Sequence, residues 1–422
     1  MRTPHVQFRP RSATAGLLVS LLLCATAVAF PADGQAALPP DHSHPPATAL
    51  PAVSAQPGQT ALPAQPAPSG SCTLTMRKAL TSTLQASGIT SFGGVVSSSI
   101  ELWQSGASRP LAPASVTKLL TASAALHTLN PNRHQETGVY LAIDGSLVVR
   151  GTGDVTLSRR ATGPTMAHGW DRWDIGGGSI APIVPAMLDG ARIYDTGWYN
   201  PRTATPSLQL GATLAQYLNV KGLTVEVADS TPLALLPLGK VYSAPLTDRV
   251  HDMLLYSDNV LAESIGREVA KALAKPASFH GAASAVLTAI GTNGIPTTGA
   301  ILHDTSGLST YNRLTARTVA GTLRPHTLVD KTQVTDIIEA NLPVAGQSGT
   351  LRYRFGGQNA AARGHIRAKT GSLNNVSTLA GIVYSLRTST PYYFAFLVND
   401  TAYWPATSLV DNLAAALYRT GC

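Results

Sequence analysis

Apolar residues recur along this chain at two kinds of spacing, one typical of helices and one typical of strands. Four-residue spacing near residues 74–85 predicts a helix, and a second helix is predicted at the end of the chain. Residues 93–103 alternate loosely and predict a strand pair or a bent strand, and residues 376–386 and 391–398 are also strand-like. The apolar positions that define the two terminal helices are Met76, Leu80, Leu84, Leu409, Leu413 and Leu417.

The middle of the chain predicts mostly helices. One helix should start near Ser115, and others should occupy residues 246–274 and 279–290. Residues 140–151 predict strands joined by a tight turn, whereas residues 151–211 are rich in Gly, Pro and Trp and show no clear period. This order of elements predicts an α/β fold in which helices sandwich an antiparallel sheet assembled from both ends of the chain.

The first 29 residues have the three parts of a secretory signal peptide. Arginines precede an apolar stretch at residues 15–30, and Ala27 and Ala29 place small residues before a cleavage site. That stretch is short for a bilayer span, which needs about 20 apolar residues. We therefore expect an exported protein, in the cell envelope or outside the cell, with no stable membrane span after cleavage. The alternative is a retained membrane anchor.

A segment of unusual composition follows the predicted signal. Residues 30–71 are dense in Pro, Ala, Gln and Ser and hold few bulky apolar side chains, so we expect a disordered linker. Signal cleavage would leave two cysteines, Cys72 and Cys422, at the first and last residues of the predicted folded region. An even pair in an exported protein predicts a disulfide between them, with free or intermolecular thiols as the alternative.

Charge patterning excludes one large class of partners. The formal net charge is +8, but charged residues are only 13% of the 422 residues, and several positive charges lie in the predicted signal. No dense run of Lys and Arg remains, so we expect no binding of nucleic acid. A modest positive field suits substrates that carry carboxylates.

The first of three short polar motifs places a serine and a lysine one helical turn apart. Residues three apart share a helix face, so the amine of Lys118 can reach the hydroxyl of Ser115. A serine needs an adjacent base to become a strong nucleophile, and a lysine is that base only when its amine is neutral. Neutralising an ordinary lysine at pH 7 costs about 4.6 kcal/mol. Burial or a nearby cation must therefore assist.

The other two motifs are Ser-Asp-Asn at residues 257–259 and Lys-Thr-Gly-Ser at residues 369–372. The serine of the second motif can pass protons on, and its asparagine can hold a substrate amide. The lysine of the third motif could stay cationic and push Lys118 toward neutrality, while the hydroxyls beside it suit a substrate carboxylate. The side chains that we expect to take part are Ser257, Asn259, Lys369, Thr370 and Ser372.

The ordered set resembles the motifs of the penicillin-binding-protein and serine β-lactamase superfamily. More narrowly, the flanking residues are similar to the D-alanyl-D-alanine carboxypeptidase/endopeptidase family, the class C low-molecular-mass penicillin-binding proteins. This resemblance covers about residues 72–422. The segments that carry it are residues 113–121, 151–157, 257–263, 304–313, 343–351 and 367–372.

The resemblance implies a serine D,D-peptidase that acts on peptidoglycan stem peptides through an acyl-serine intermediate, without a cofactor or a metal ion. Ser115 would be the acylated nucleophile, and Lys118 would take its proton. Ser257 would link Lys118 to the leaving amine, and Asn259 would hold a backbone amide of the stem. The third motif would bind the terminal carboxylate, and β-lactam antibiotics would acylate the same serine as covalent inhibitors.

The resemblance also divides the chain. Residues 72–151 and 246–422 would form the D,D-peptidase catalytic domain, which includes an all-helical active-site subdomain, and residues 152–245 would form a reduced inserted domain.

Asp304 should shape its loop rather than act in catalysis. Whether the enzyme is a carboxypeptidase or an endopeptidase stays open. Two alternatives remain: a β-lactamase or esterase of the same superfamily, and a catalytically idle peptidoglycan-binding protein.

Overall fold

The computed structural model describes residues 70–142, 147–151, 165–184, 187–194, 200–217, 225–226, 235–324, 332–386 and 391–421. The signal peptide predicted at residues 1–29, the linker up to residue 69 and Cys422 lie outside these residues. Among the helices that the structure describes, none combines the length and the apolar character needed to cross a bilayer.

Along the chain, short groups of strands are separated by helices, and several helices in succession precede the last three strands. The strands are β1 (Phe92–Ser97), β2 (Glu101–Ser105), β3 (Glu136–Ala142), β4 (Leu147–Gly151), β5 (Val225–Glu226), β6 (Leu235–Tyr242), β7 (Ile366–Leu373), β8 (Val376–Tyr384) and β9 (Pro391–Val398). The helices are α1 (Gly70–Ser87), α2 (Thr117–Thr128), α3 (Trp173–Gly176), α4 (Pro206–Tyr217), α5 (Leu246–Leu255), α6 (Asn259–Ala272), α7 (Phe279–Thr292), α8 (Ala316–Gly321), α9 (Thr332–Ala340) and α10 (Tyr403–Thr420).

The central sheet joins the two ends of the folded chain. Its order is β2-β1-β9-β8-β7, and every neighbouring pair is antiparallel. The N-terminal strand β1 pairs with β9 in a register that sets Phe92 opposite Val398. The predicted antiparallel sheet assembled from both chain ends is therefore confirmed.

Helices cover both faces of this sheet, which explains why β8 and β9 are almost wholly apolar. Alternate residues of a strand point to opposite faces. On β9, Phe394 and Phe396 belong to one core together with residues of α1 and α10, whereas Ala395 and Leu397 belong to another core together with residues of α2, α5, α6, α7 and α8. This other core includes the α2 helix, which is buried from Thr117 to Leu126.

A second sheet has the order β5-β4-β3-β6 and is antiparallel except where β4 meets β5. Strands β3 and β4 precede the predicted insert, while β5 and β6 belong to residues 152–245. The sheet thus crosses the predicted boundary, and the division into domains stays a prediction. The sequence pattern did not reveal β6, because its alternation is broken by Pro237 and Gly239.

Candidate active site

Ser115 lies in a strained turn at the start of the central helix. A short 3₁₀ turn, Ala114–Val116, leads directly into α2, and Ala114 has a φ of 50°. Such a conformation is costly for a residue with a side chain and concentrates at functional sites. Strand β7 holds the turn from the side, because a Cβ atom at Gly371 would lie 2.8 Å from the Ser115 nitrogen. Only glycine lets the strand approach the serine peptide this closely.

Lys118 is fully buried one turn later and contacts three oxygens. Its Nζ lies 2.9 Å from Ser115 Oγ, 2.6 Å from Asn259 Oδ1 and 2.7 Å from the carbonyl oxygen of Ser306. The amide and carbonyl oxygens only accept hydrogen bonds, whereas a hydroxyl can also donate. A neutral Lys118 amine would therefore donate to Asn259 and Ser306 and turn its lone pair toward the Ser115 hydroxyl.

Burial lowers the pKa of Lys118 to about 8. The carboxylates of Asp304, Asp258 and Glu263 act in the opposite direction and hold the value there. The sequence predicted assistance from burial or from a nearby cation, and burial is the dominant cause. With this pKa, about a tenth of the amine is neutral at pH 7, and the neutral amine is the form that acts as a general base.

The second motif forms the turn between α5 and α6. Ser257 has a φ of 60°, and its Oγ accepts a hydrogen bond of 2.8 Å from Lys369 Nζ. Asp258 caps α6 by accepting from the backbone N–H of Leu261. Asn259 is the residue of this motif that accepts a hydrogen bond from Lys118, whereas Ser257 is bound to Lys369. The link predicted from Lys118 through Ser257 to the leaving amine stays a prediction.

The third motif lies at the end of β7, beside the serine turn. Lys369 is fully buried and also donates to the carbonyl oxygen of Thr370, at 2.9 Å. The hydroxyl of Thr370 donates to Thr350 Oγ1 at 2.7 Å, and the side chain of Ser372 is exposed at the strand end. Burial and then the charge of Lys118 lower the pKa of Lys369 well below its ordinary value.

The two amines therefore influence each other. The sequence suggested that Lys369 stays cationic and pushes Lys118 toward neutrality. In the structure, burial is the largest cause of the lowered pKa of both lysines, the charge of Lys118 lowers the pKa of Lys369 further, and three carboxylates act on Lys118. The cationic state expected of Lys369 stays a prediction.

Asp304 shapes the loop whose carbonyl oxygen binds Lys118. It is fully buried and accepts from the backbone N–H groups of Gly307 and Ser309, from Asn312 Nδ2 and from Trp170 Nε1, at 2.6–2.8 Å. Three of these bonds hold the loop that follows Asp304, and the fourth ties it to Trp170. They agree with the loop-shaping role predicted for Asp304.

Sequence reasoning missed three groups that complete the site. Glu263, fully buried on α6, accepts from the backbone N–H groups of Thr305 and Ser306 at 3.0 and 2.8 Å. It thereby holds the Ser306 peptide whose oxygen faces Lys118. The Thr350 hydroxyl was the second missed group, and the carbonyl oxygen of Ser179, which accepts from Asn259 Nδ2 at 2.9 Å, was the third. Glu263 and Thr350 stand in segments that resemble the family, but nothing in their spacing indicated these contacts.

Comparisons with known proteins agree with this geometry. The sequence profile of the D-Ala-D-Ala carboxypeptidase 3 (S13) family matches residues 76–163 and 196–416. The chain belongs to this family. It is 41% identical over 366 residues to carboxypeptidase DacB of Mycolicibacterium smegmatis, covering 76% of this chain and 78% of the relative. It is 39% identical over 365 residues to carboxypeptidase Rv3627c of Mycobacterium tuberculosis, with the same coverage.

This S13 family member shares its fold with a protein of known structure. Penicillin binding protein 4 (dacB) from Haemophilus influenzae superposes with a TM-score of 0.67 at 20% identity, over 81% of this chain and 99% of the other. Its complex with a β-lactam superposes with a TM-score of 0.63 over the same shares, again at 20% identity. The predicted fold class, a penicillin-binding-protein-like α/β fold, is confirmed.

Proposed function

We propose that this S13 family member is an exported serine D,D-carboxypeptidase that acts on the D-Ala-D-Ala ends of peptidoglycan stem peptides. One observation carries the proposal: a fully buried Lys118, with a pKa of about 8, lies 2.9 Å from the hydroxyl of Ser115. The names of the two mycobacterial relatives, both carboxypeptidases, support the same activity.

The acylation step follows from the contacts of Lys118. The neutral amine takes the proton of Ser115 as Oγ attacks the carbonyl carbon of the penultimate D-alanine. The backbone N–H groups of Ser115 and Ser372 stabilise the developing oxyanion, an effect worth about 3–4 kcal/mol per donor. The peptide bond then breaks, the leaving amine of the terminal D-alanine gains a proton, and the acyl group stays on Ser115. Water later hydrolyses the ester.

In this proposal the Ser257 hydroxyl gives its proton to the leaving amine and takes one from Lys369 Nζ, which lies 2.8 Å away. The proton that Lys118 took from Ser115 then makes up the loss when the two lysines re-equilibrate. The Lys369 amine and the hydroxyls of Thr370 and Ser372 bind the terminal carboxylate of the stem. Asn259 keeps one N–H of its amide for a backbone carbonyl of the substrate, because the other donates to Ser179.

A β-lactam would acylate Ser115 by the same route. Its carboxylate replaces that of the stem peptide beside Lys369, and its strained amide replaces the scissile bond. The β-lactam complex of the Haemophilus protein, which shares this fold, supports this part of the proposal.

Export and the disulfide complete the proposal. Residues 1–29 have the composition of a signal peptide, which would bring the enzyme to its substrate outside the cytoplasm. The sulfur of Cys72 lies 3.7 Å from the carbonyl oxygen of Thr420, two residues before Cys422. This position supports a disulfide that joins α1 to the end of the chain, and peptide mapping without reduction would detect it.

Two measurements test the activity. Intact-mass analysis with a labelled penicillin should give one adduct per molecule, and the Ser115→Ala variant should give none. Incubation with purified sacculi, followed by chromatography of the products, should show free D-alanine. Cleaved cross-links without free D-alanine would indicate an endopeptidase instead. A folded wild-type protein that forms no adduct and releases no D-alanine would reject the proposal.

A further inference from the structure

The Ser-Asp-Asn turn is tied to the preceding part of the chain by a buried arginine. The Arg202 side chain is 3% exposed, and its guanidinium makes three hydrogen bonds in different directions. Nε donates to the carbonyl oxygen of Gly178 at 2.9 Å, Nη1 to that of Gly190 at 2.6 Å, and Nη2 to Asp258 Oδ2 at 2.8 Å. The planar fork of arginine suits such a set of fixed acceptors, and lysine could not reproduce it.

Two of these bonds flank the contact that orients Asn259. Gly178 is followed by Ser179, whose carbonyl oxygen accepts from Asn259 Nδ2, and Asp258 is followed by Asn259 itself. Because Nδ2 faces Ser179, the amide must turn Oδ1 toward Lys118, where the distance is 2.6 Å. Arg202 thus holds the residues that precede both partners of the Ser179–Asn259 hydrogen bond.

A second arginine, Arg192, also binds the carboxylate of Asp258 but has different backbone contacts from Arg202. Arg192 Nη2 lies 2.5 Å from Asp258 Oδ2, while its Nη1 contacts Asp189, and its side chain is 24% exposed. Burial acts to raise the pKa of Asp258, but the two arginines outweigh it and lower the value to about 2. The described contacts of Arg192 do not include Gly178 or Ser179, so it offers a matched control for the charge and the hydrogen bond at Asp258.

We propose that Arg202 is a positioning residue for catalysis, which fixes the amide of Asn259 and through it the amine of Lys118. This inference deepens the proposed function, since it assumes acylation of Ser115 with Lys118 as the base. It assigns a catalytic purpose to part of the predicted insert. Gly178, Ser179 and Gly190 supply the acceptors, and with Arg202 they orient the second motif, although none of them belongs to the three motifs.

The test is single-turnover acylation of the purified full chain by a labelled penicillin. The variants are Arg202→Gln, Arg202→Lys and the control Arg192→Gln, each checked for cooperative thermal unfolding. The rate constant of acylation, k2, and the final fraction of acylated molecules are measured separately. A purely structural role would lower the acylated fraction and leave k2 of the remaining molecules unchanged, whereas a positioning role lowers k2.

We expect k2 to fall about tenfold or more in Arg202→Gln, with the acylated fraction still near one. Arg202→Lys keeps a positive charge beside Asp258, so it should fold even if Arg202→Gln does not, and its k2 should fall as well. Arg192→Gln should stay within about threefold of the wild type. The inference is overturned if the Arg202 variants keep a wild-type k2, if only their acylated fraction falls, or if Arg192→Gln loses as much k2 as Arg202→Gln. Absence of acylation in the wild type would instead reject the proposed function.

Discussion

The two buried lysines of the site lie on opposite halves of it and in different surroundings. On the helical half, Lys118 contacts Ser115, Asn259 and Ser306 and is influenced by three carboxylates. On the strand half, Lys369 contacts Ser257 and the Thr370 carbonyl, and burial and the charge of Lys118 are the causes of its pKa shift. Burial lowers the pKa of both lysines, and at Lys118 the three carboxylates oppose that effect.

In the proposed mechanism, this difference indicates how the carboxylate of a bound substrate would shift a proton between Lys118 and Lys369. The strand half gains a negative charge only when substrate arrives, and that charge favours the ammonium form of Lys369. A cationic Lys369 then lowers the pKa of Lys118, since each repels the charge of the other. The pair therefore titrates as a unit, and substrate binding moves the proton away from the base.

The largest effect should come from removing the base. In Lys118→Met the side chain keeps its length, but Ser115 loses its proton acceptor, so k2 should fall roughly 10²–10⁴-fold. The variant also leaves the oxygens of Asn259 and Ser306 without a donor, which costs about 1–3 kcal/mol for each group. Acylation kinetics and thermal unfolding measure the two losses. Retention of more than about a tenth of k2 would show that another group activates the serine.

A smaller effect should follow from Lys369→Met. Truncating one partner of a buried charge pair typically costs 2–5 kcal/mol, so k2/K for a carboxylate-bearing penicillin should fall about 100-fold.

In the wild type, the acid limb of k2, which reports the bound enzyme, should have a lower midpoint than that of k2/K, which reports the free enzyme. The free-enzyme midpoint should lie near pH 8, since Lys118 must lose its proton.

The pH profiles of this variant separate the two halves. Without Lys369, a bound carboxylate can no longer place a cation beside Lys118, and its own charge favours the protonated form of Lys118, so the k2 midpoint should no longer lie below that of k2/K. A k2 midpoint that stays lower in Lys369→Met would contradict the proton balance inferred from the two halves.

Sequence alone could indicate the motifs of both halves but not the contacts between them. Ser115 and Lys118 are one helical turn apart, so local geometry was enough to predict their contact. The central sheet was also predictable, because β8 and β9 are apolar on both faces. The Ser306 carbonyl and the Arg202 guanidinium reach the site through tertiary packing, and backbone acceptors leave no signature in the sequence.

The same limit applies to the surroundings of the two lysines. The charge state of each amine depends on the carboxylates around it. Glu263 and Asp304 are 145 and 186 residues from Lys118 in the chain, and only the fold brings their charges to its side of the pair.

The smallest effect concerns one of those carboxylates. Burial, followed by repulsion from Asp304, raises the pKa of Glu263 to about 7, so its charge appears only near neutral pH. Glu263→Gln keeps an oxygen for the N–H groups of Thr305 and Ser306 and removes the charge. Because that charge raises the pKa of Lys118, the acid limb of k2/K should shift to lower pH. At pH 7 the rate should rise by less than about tenfold.

Stability provides the control for this variant, with a sign that is fixed by the direction of the shift. The pKa of Glu263 rises from 4.5 in the unfolded chain to about 7 in the fold. The folded wild type therefore holds a proton that the unfolded chain has lost, and stability falls as pH rises through this window. Glu263→Gln lacks this titrating group. The stability of the variant relative to the wild type, measured by thermal unfolding, should therefore increase between pH 4.5 and 7. An unchanged acid limb together with this gain would place Glu263 in the fold alone, and the difference between the two lysines would then rest on Asp258 and Asp304.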